Sequence, residues 1–211
     1  MKPHAGRPAE IIGRPLGAGR GVMVMVHGRD AGPSNILELA ARFDHPDFTY
    51  VAPAAANDTW YPYSFMAEKE RNEPGLSSGL AVIDRVVEDV VGSGVPKDHT
   101  ILLGFSQGAC LTAEYAVRHA DRFAGVIVYS GGLIGPPGTA WRYGGSFVET
   151  PVFLGCSDVD AHVPLERIEE SAAVFERMGA VVTKRIYHGM GHLVNDDEIE
   201  FTQELMRVLL G

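Results

Sequence analysis

A chain of 211 residues fits one domain better than two and can bury a full core without disulfide or metal staples. Its 45% hydrophobic and 21% charged residues are those of a folded globular protein, and a formal charge of −9 with no basic run sets it against nucleic-acid phosphates. Apolar runs such as 22–26 and 126–129 are too short to span a bilayer. The N-terminal MKPHAGRPAE carries prolines and charges where a secretory signal needs an apolar stretch, so the expected location is cytoplasmic. In that reducing setting Cys110 and Cys156 are expected as buried free thiols.

In chain order, residues 1–20 read as an N-terminal extension or edge segment of one domain over 1–211. A first strand, 21–26 (GVMVMV), is apolar throughout, as a strand covered on both faces should be. The spacing of Ile36, Leu37, Leu39, Ala40 and Phe43 predicts a helix over 34–43 with Ser34 as its N-cap, and a strand follows over 48–52. Residues 53–75 carry Trp60, Tyr61, Tyr63, Phe65 and Met66 among prolines and charges and fit no regular element. A helix over 77–91 stops at Gly92-Ser93-Gly94, and a buried strand, 100–105, runs straight into a helix over 106–119. After a strand at 124–129, the Gly- and Pro-rich stretch 131–150, with Trp141 and Tyr143, is irregular again. A strand at 151–155, a helix over 164–178 opening at Pro164, a strand at 181–187 and a helix over 196–210 complete the chain. Strands alternating with helices predict an α/β class domain: a mostly parallel central sheet with helices on both faces and no inserted cap domain. The two irregular aromatic segments are expected to wall or cover a site.

Residues 104–108 read Gly-Phe-Ser-Gln-Gly, a G-x-S-x-G pattern between a buried strand and a helix rich in small residues. In that context the serine sits on a sharp turn with its hydroxyl exposed, which makes Ser106 the candidate nucleophile. A serine hydroxyl needs a base to take its proton and an acid to orient that base. The acid is sought after a strand in 156–164, where Asp158 and Asp160 both qualify. The base is sought after the next strand, where His192 follows Gly189 and Gly191, and His188 is expected to pack at the strand end. The backbone N–H groups of Gln107, just after the serine, and of Arg29, after His27-Gly28, are the candidate oxyanion donors.

Taken together, HG at 27–28, Trp60, GFSQG at 104–108, the D-x-x-V-P at 160–164 and the G-M-G-H at 189–192 resemble the small phospholipase/carboxylesterase family, which includes acyl-protein thioesterases. The resemblance runs from about residue 21 to 210. It implies a single-domain α/β-hydrolase fold and a serine carboxylesterase acting through Ser106, His192 and an acyl-enzyme. With only loops available for a lid and no inserted helical cap in the sequence, short-chain esters are the expected substrates. Asp160 is carried over as the acid, although Ala161 stands where the family has proline and Asp158 keeps the choice open. No cofactor is implied, and the partner is a small-molecule ester. Members often form homodimers, although no residue here demands one. Trp60, Tyr61, Phe65 and Leu133 are the expected substrate-binding residues. Thioesterase or lysophospholipase action would use the same elbow. A dienelactone-hydrolase-type enzyme would carry cysteine in place of Ser106. A metal site on His188 and His192 would need a helix that Gly189 and Gly191 disfavour, and a non-catalytic binding scaffold would leave the triad idle.

Overall fold

The computed structural model describes residues 2–43 and 45–210; of the span 1–211, Met1, Asp44 and Gly211 lie outside the described residues. Among the described residues, seven strands form one sheet in the order β1-β3-β2-β4-β5-β6-β7. Strands β2 (Gly21–Val26), β3 (Phe48–Ala52), β4 (Thr100–Phe105), β5 (Gly125–Tyr129), β6 (Pro151–Ser157) and β7 (Val181–Tyr187) are parallel. Strand β1 (Glu10–Gly13) joins one edge antiparallel to β3.

The near-continuous apolar runs of β2 to β5 have a direct cause: both faces of the sheet are covered. Val22, Val24 and Val26 face a layer built from α3 (Gly75–Gly92), α4 (Gln107–Arg118) and α5 (Leu165–Arg177). Met23 and Met25, one residue out of phase, face α1 (Pro33–Leu37), α2 (Ala40–Phe43) and α6 (Asp196–Leu210). No helix among the described residues is long and apolar enough to cross a membrane.

Five details differ from the sequence expectations. Strand β1 is exposed at every residue, so it carries no apolar pattern to detect. The helix expected over 34–43 is two helices broken at Glu38-Leu39, and both halves bury apolar side chains in one layer. The first half begins at Pro33 on Gly32, so Ser34 is not its cap. Pro164 is the extended residue before α5, not its first turn. Strand β6 continues to Ser157, which pairs with Tyr187 and carries the following loop toward the one after β7.

The strand order creates a switch point. From β2 the chain moves to β3 on one side, then returns to β4 on the other. The loops after β2 and β4 therefore part at the carboxyl ends of adjacent strands and leave a crevice between them, the usual place for a ligand in an open α/β sheet.

Beneath the sheet's far half, Asn195 and Glu198 cap α6 reciprocally. Asn195 Oδ1 accepts the Glu198 N–H at 2.9 Å, and Glu198 Oε2 accepts the Asn195 N–H at 2.9 Å. Glu198 Oε1 is buried without a hydrogen-bond partner beside Gly155, where a Cβ would come within 2.0 Å of it. Burial pushes the Glu198 carboxyl up to about 7 from 4.5. Because the folded protein holds this proton more tightly than the unfolded chain, Glu198 contributes fully below pH 4.5 and its contribution is lost as pH rises through about 7. Glu198→Gln keeps the cap and removes the ionisation. It is expected to stabilise the protein above pH 7 by an amount on the order of 3 kcal/mol, with little change at pH 4.5, as read by denaturant melts across that range.

Candidate active site

Ser106 joins β4 to α4 with φ 56° and ψ −121°, a conformation that L-residues avoid unless the surroundings impose it. The surroundings are the two glycines of the pattern. A Cβ at Gly104 would lie 2.4 Å from the Gly108 carbonyl oxygen, and one at Gly108 would lie 2.1 Å from that of Val26. Only a chain bare at both positions lets α4 begin this close over β2. The turn is further held by the Ser106 N–H donating to the Tyr129 carbonyl of β5 at 3.0 Å.

The loops after β6 and β7 then meet the serine. Ser106 Oγ donates to His192 Nε2 at 2.8 Å, and His192 Nδ1 donates to Asp160 Oδ2 at 2.7 Å. The Asp160 side chain is buried, and its other oxygen accepts the N–H groups of His162 (2.8 Å) and Val163 (3.1 Å). Burial alone would raise its carboxyl; the hydrogen bonds from His192, His162 and Val163 outweigh that and hold it below the usual carboxylate value. Asp158 serves another histidine. Its Oδ2 accepts from His188 Nδ1 at 2.7 Å, and its Oδ1 accepts the Gly189 N–H at 2.8 Å. These bonds also hold its carboxyl low. Ser157 Oγ accepts the Gly191 N–H at 3.1 Å, so Ser157, Asp158 and Asp160 together clasp the loop of residues 188–192. His188 is therefore an exposed surface residue rather than one packed at the strand end, and it and His192 turn to different carboxylates.

The candidate oxyanion donors flank the crevice. Gln107 is the first residue of α4, so its N–H has no intrahelical acceptor. On the β2 side, His27 Nε2 accepts the Ala55 N–H at 3.1 Å, which leaves Nδ1 to carry the proton and donate to the Gly28 carbonyl at 2.8 Å. That bond fixes the Gly28–Arg29 peptide plane, and with it the direction of the Arg29 N–H on the opposite side. Burial keeps the His27 pKa low, which preserves this neutral arrangement.

Between these groups lies a cleft of about 480 Å³, lined among others by Arg29, Tyr61, Phe65, Ser106, Gln107 and His192. Two expected lining residues are absent from it. Trp60 is fully buried behind the wall, its indole N–H donating to the His27 carbonyl at 2.9 Å and its ring between His27 and His4. Leu133 is equally buried, its carbonyl accepting from Arg167 at 2.7 Å and its N–H donating to Ser171 Oγ at 3.0 Å.

Polar side chains, all but Gln107 outside any sequence motif, hold the irregular segments. Gln107 accepts the Trp60 N–H (2.9 Å) and donates to the Tyr61 carbonyl (2.8 Å). Asn72 accepts the Tyr63 N–H and donates to the Ser64 carbonyl, both at 2.9 Å. The buried Glu114 carboxylate on α4 takes Lys69 from one segment and Tyr143 from the other, with Arg118 beside it. His4 accepts the Ala56 N–H and donates to the Trp60 carbonyl, which ties the N-terminal segment to the same wall. An acid among the small residues of α4 is the one signal that could have pointed to Glu114; nothing in the sequence points to His4.

The sequence pattern of the phospholipase/carboxylesterase family matches residues 9–210. A crystal structure of a phospholipase/carboxylesterase from Dyadobacter fermentans superposes with a TM-score of 0.91 at 37% identity, covering 98% of this chain and 97% of that one. A rice protein described as a probable carboxylesterase is 22% identical over 93% of this chain and 82% of its own length. Acyl-protein thioesterase 1 of Saccharomyces cerevisiae is 27% identical over 60% of this chain, and the match spans little more than half of that enzyme (56%). Zea mays acyl-protein thioesterase 2 shares the fold, with a TM-score of 0.73 at 17% identity over 97% of this chain and all of that one.

The two Asp–His pairs separate the candidate acids experimentally. Asp160→Asn is expected to lower kcat for a p-nitrophenyl ester by about 10⁴-fold, because His192 would be held in the wrong tautomer. Asp158→Asn, which disturbs only the outer end of the loop, is expected to cost far less. Steady-state rates of the two variants, with circular dichroism to check folding, test this; equal losses would sink the distinction.

Proposed function

The chain belongs to the phospholipase/carboxylesterase family of α/β hydrolases, and from that premise we propose that it is a serine carboxylesterase of short-chain esters. The observation that carries the reading is the unbroken line from the Asp160 carboxylate through His192 to the Ser106 hydroxyl, with bonds of 2.7 and 2.8 Å, opening into a cleft.

In this reading His192 Nε2 takes the Ser106 proton as Oγ attacks the ester carbonyl, and Asp160 steadies the imidazolium that results. The oxygen that becomes negative is met by the Arg29 and Gln107 N–H groups, each such donor being worth about 3 kcal/mol. His192 returns the proton to the leaving alcohol, and water attacks the acyl-enzyme by the same path in reverse. The wall of residues 61–65, held by side-chain hydrogen bonds, supports short acyl groups: it borders a half-open cleft of about 480 Å³ in which Phe65, Phe105 and Val163 stand beside Arg29, Ser106 and His192.

A second reading, thioester hydrolysis, uses the same groups and is favoured by the relatives named acyl-protein thioesterases. The chemistry at the carbonyl is unchanged; only the leaving group differs. A panel of matched oxygen and thiol esters separates the two.

Ser106→Ala is expected to fold and to lose hydrolysis of p-nitrophenyl acetate and butyrate, and a serine-directed phosphonate is expected to label Ser106 in the unaltered protein. Substantial turnover by the alanine variant would overturn the mechanism.

A further inference from the structure

We propose that the Arg29 side chain is a positioning residue that sets acyl-chain selectivity, by fixing the cleft wall at residues 61–63. The inference rests on the esterase reading above. The Arg29 guanidinium donates from Nη2 to the carbonyls of Tyr61 (3.0 Å) and Tyr63 (2.9 Å), and from Nη1 to that of Pro62 (3.1 Å). Three consecutive carbonyls converge on one cation. Residues 61–63 belong to neither a helix nor a strand, and their carbonyls turn to one side around the arginine.

Several features assign the side chain this role. Among the described residues no carboxylate is paired with Arg29, so its charge is spent on the loop and not on an ion pair. The planar, five-donor fork of arginine can span adjacent acceptors, which the single ammonium of lysine cannot do in one plane. The other polar backbone groups of the wall are held from elsewhere: by Gln107 at Trp60 and Tyr61, by Asn72 at Tyr63 and Ser64, and by the Gly135 N–H at Phe65. The Pro62 and Tyr63 carbonyls depend on Arg29. Tyr61, Pro62 and Tyr63 line the same cleft as Ser106, so the position of this stretch decides how far an acyl chain extends past the serine.

This role is separable from that of the Arg29 backbone. An oxyanion N–H addresses the carbonyl that every ester shares, and so changes all rates together. A wall addresses the chain, and so changes rates according to its length. One methylene in an apolar pocket is worth roughly tenfold or more in kcat/KM, which makes the difference readable.

The test uses Arg29→Met, which keeps the aliphatic stem and removes the donors, with Arg29→Lys as the conservative variant. For p-nitrophenyl acetate, butyrate and octanoate, kcat and KM are measured separately, and amide hydrogen exchange is followed over residues 60–65. Arg29→Met is expected to raise the octanoate-to-acetate ratio of kcat/KM by about tenfold, mainly through KM, with faster exchange confined to 60–65. Arg29→Lys is expected to fall between Met and wild type, and it carries the test if the methionine variant does not fold. An unchanged ratio, or an equal loss for every ester, overturns the proposal while leaving the esterase reading intact. If the wild-type protein hydrolyses none of the esters, that reading fails and this proposal with it.

Discussion

The site depends on one close approach: the first turn of α4 lies so near β2 that a Cβ on Gly108 would come within 2.4 Å of the His27 carbonyl oxygen and nearer still to that of Val26. This contact brings the end of β4 beside the end of β2 at the point where the sheet's connections diverge. It turns Ser106 through a left-handed conformation into the crevice, where Gln107 and Arg29 line the same cleft. A side chain at Gly108 would push α4 off the sheet, and these groups would part together. The strain stored at Ser106 is local and is balanced by the burial of almost the whole of α4, from Gln107 to Val117.

Around that contact the fold uses two kinds of support. Sheet and helices are held by apolar layers on both faces. The segments that shape the cleft are held by polar side chains reaching into backbone. Buried Gln107, Asn72, His27 and His4 each satisfy an otherwise orphaned N–H or carbonyl, which is what allows a wall without regular structure to lie at the surface of the core. Two buried charges follow the same logic. Glu114 meets Lys69, Arg118 and Tyr143, and Arg167 meets Glu170 and the Leu133 carbonyl while lying over the rings of Phe65 and Trp141. A buried charge that lost such partners would be costly, so each ties an irregular segment to a helix.

The choice between neighbouring carboxylates shows where patterns in the chain stop being informative. Asp158 and Asp160 are two residues apart in one loop, and nothing in composition or spacing separates them. The register does: β6 runs on to Ser157 beside Tyr187, so Asp158 lies opposite His188 and Gly189, and Asp160 reaches His192. Trp60 is a similar case. An irregular segment has no period to show which side chains face inward, and the indole, expected in the cleft, instead fills the space between two neutral histidines behind it.

By itself, the sequence determined the α/β class, the six parallel strands and the placement of Ser106, His192 and the two acids at strand ends. Burial on both faces writes itself into continuous apolar runs, and an elbow needs small residues at set offsets. Tertiary structure alone decided the exposed edge strand β1, the partner of each carboxylate and the grip of Arg29 on three carbonyls some 32 to 34 residues away. An exposed strand leaves no apolar trace, and a hydrogen bond between a loop side chain and a distant backbone has no counterpart in local spacing. The G-F-S-Q-G motif marks where the serine stands; the packing of α4 on β2 and the clasp of the two late loops determine what stands around it.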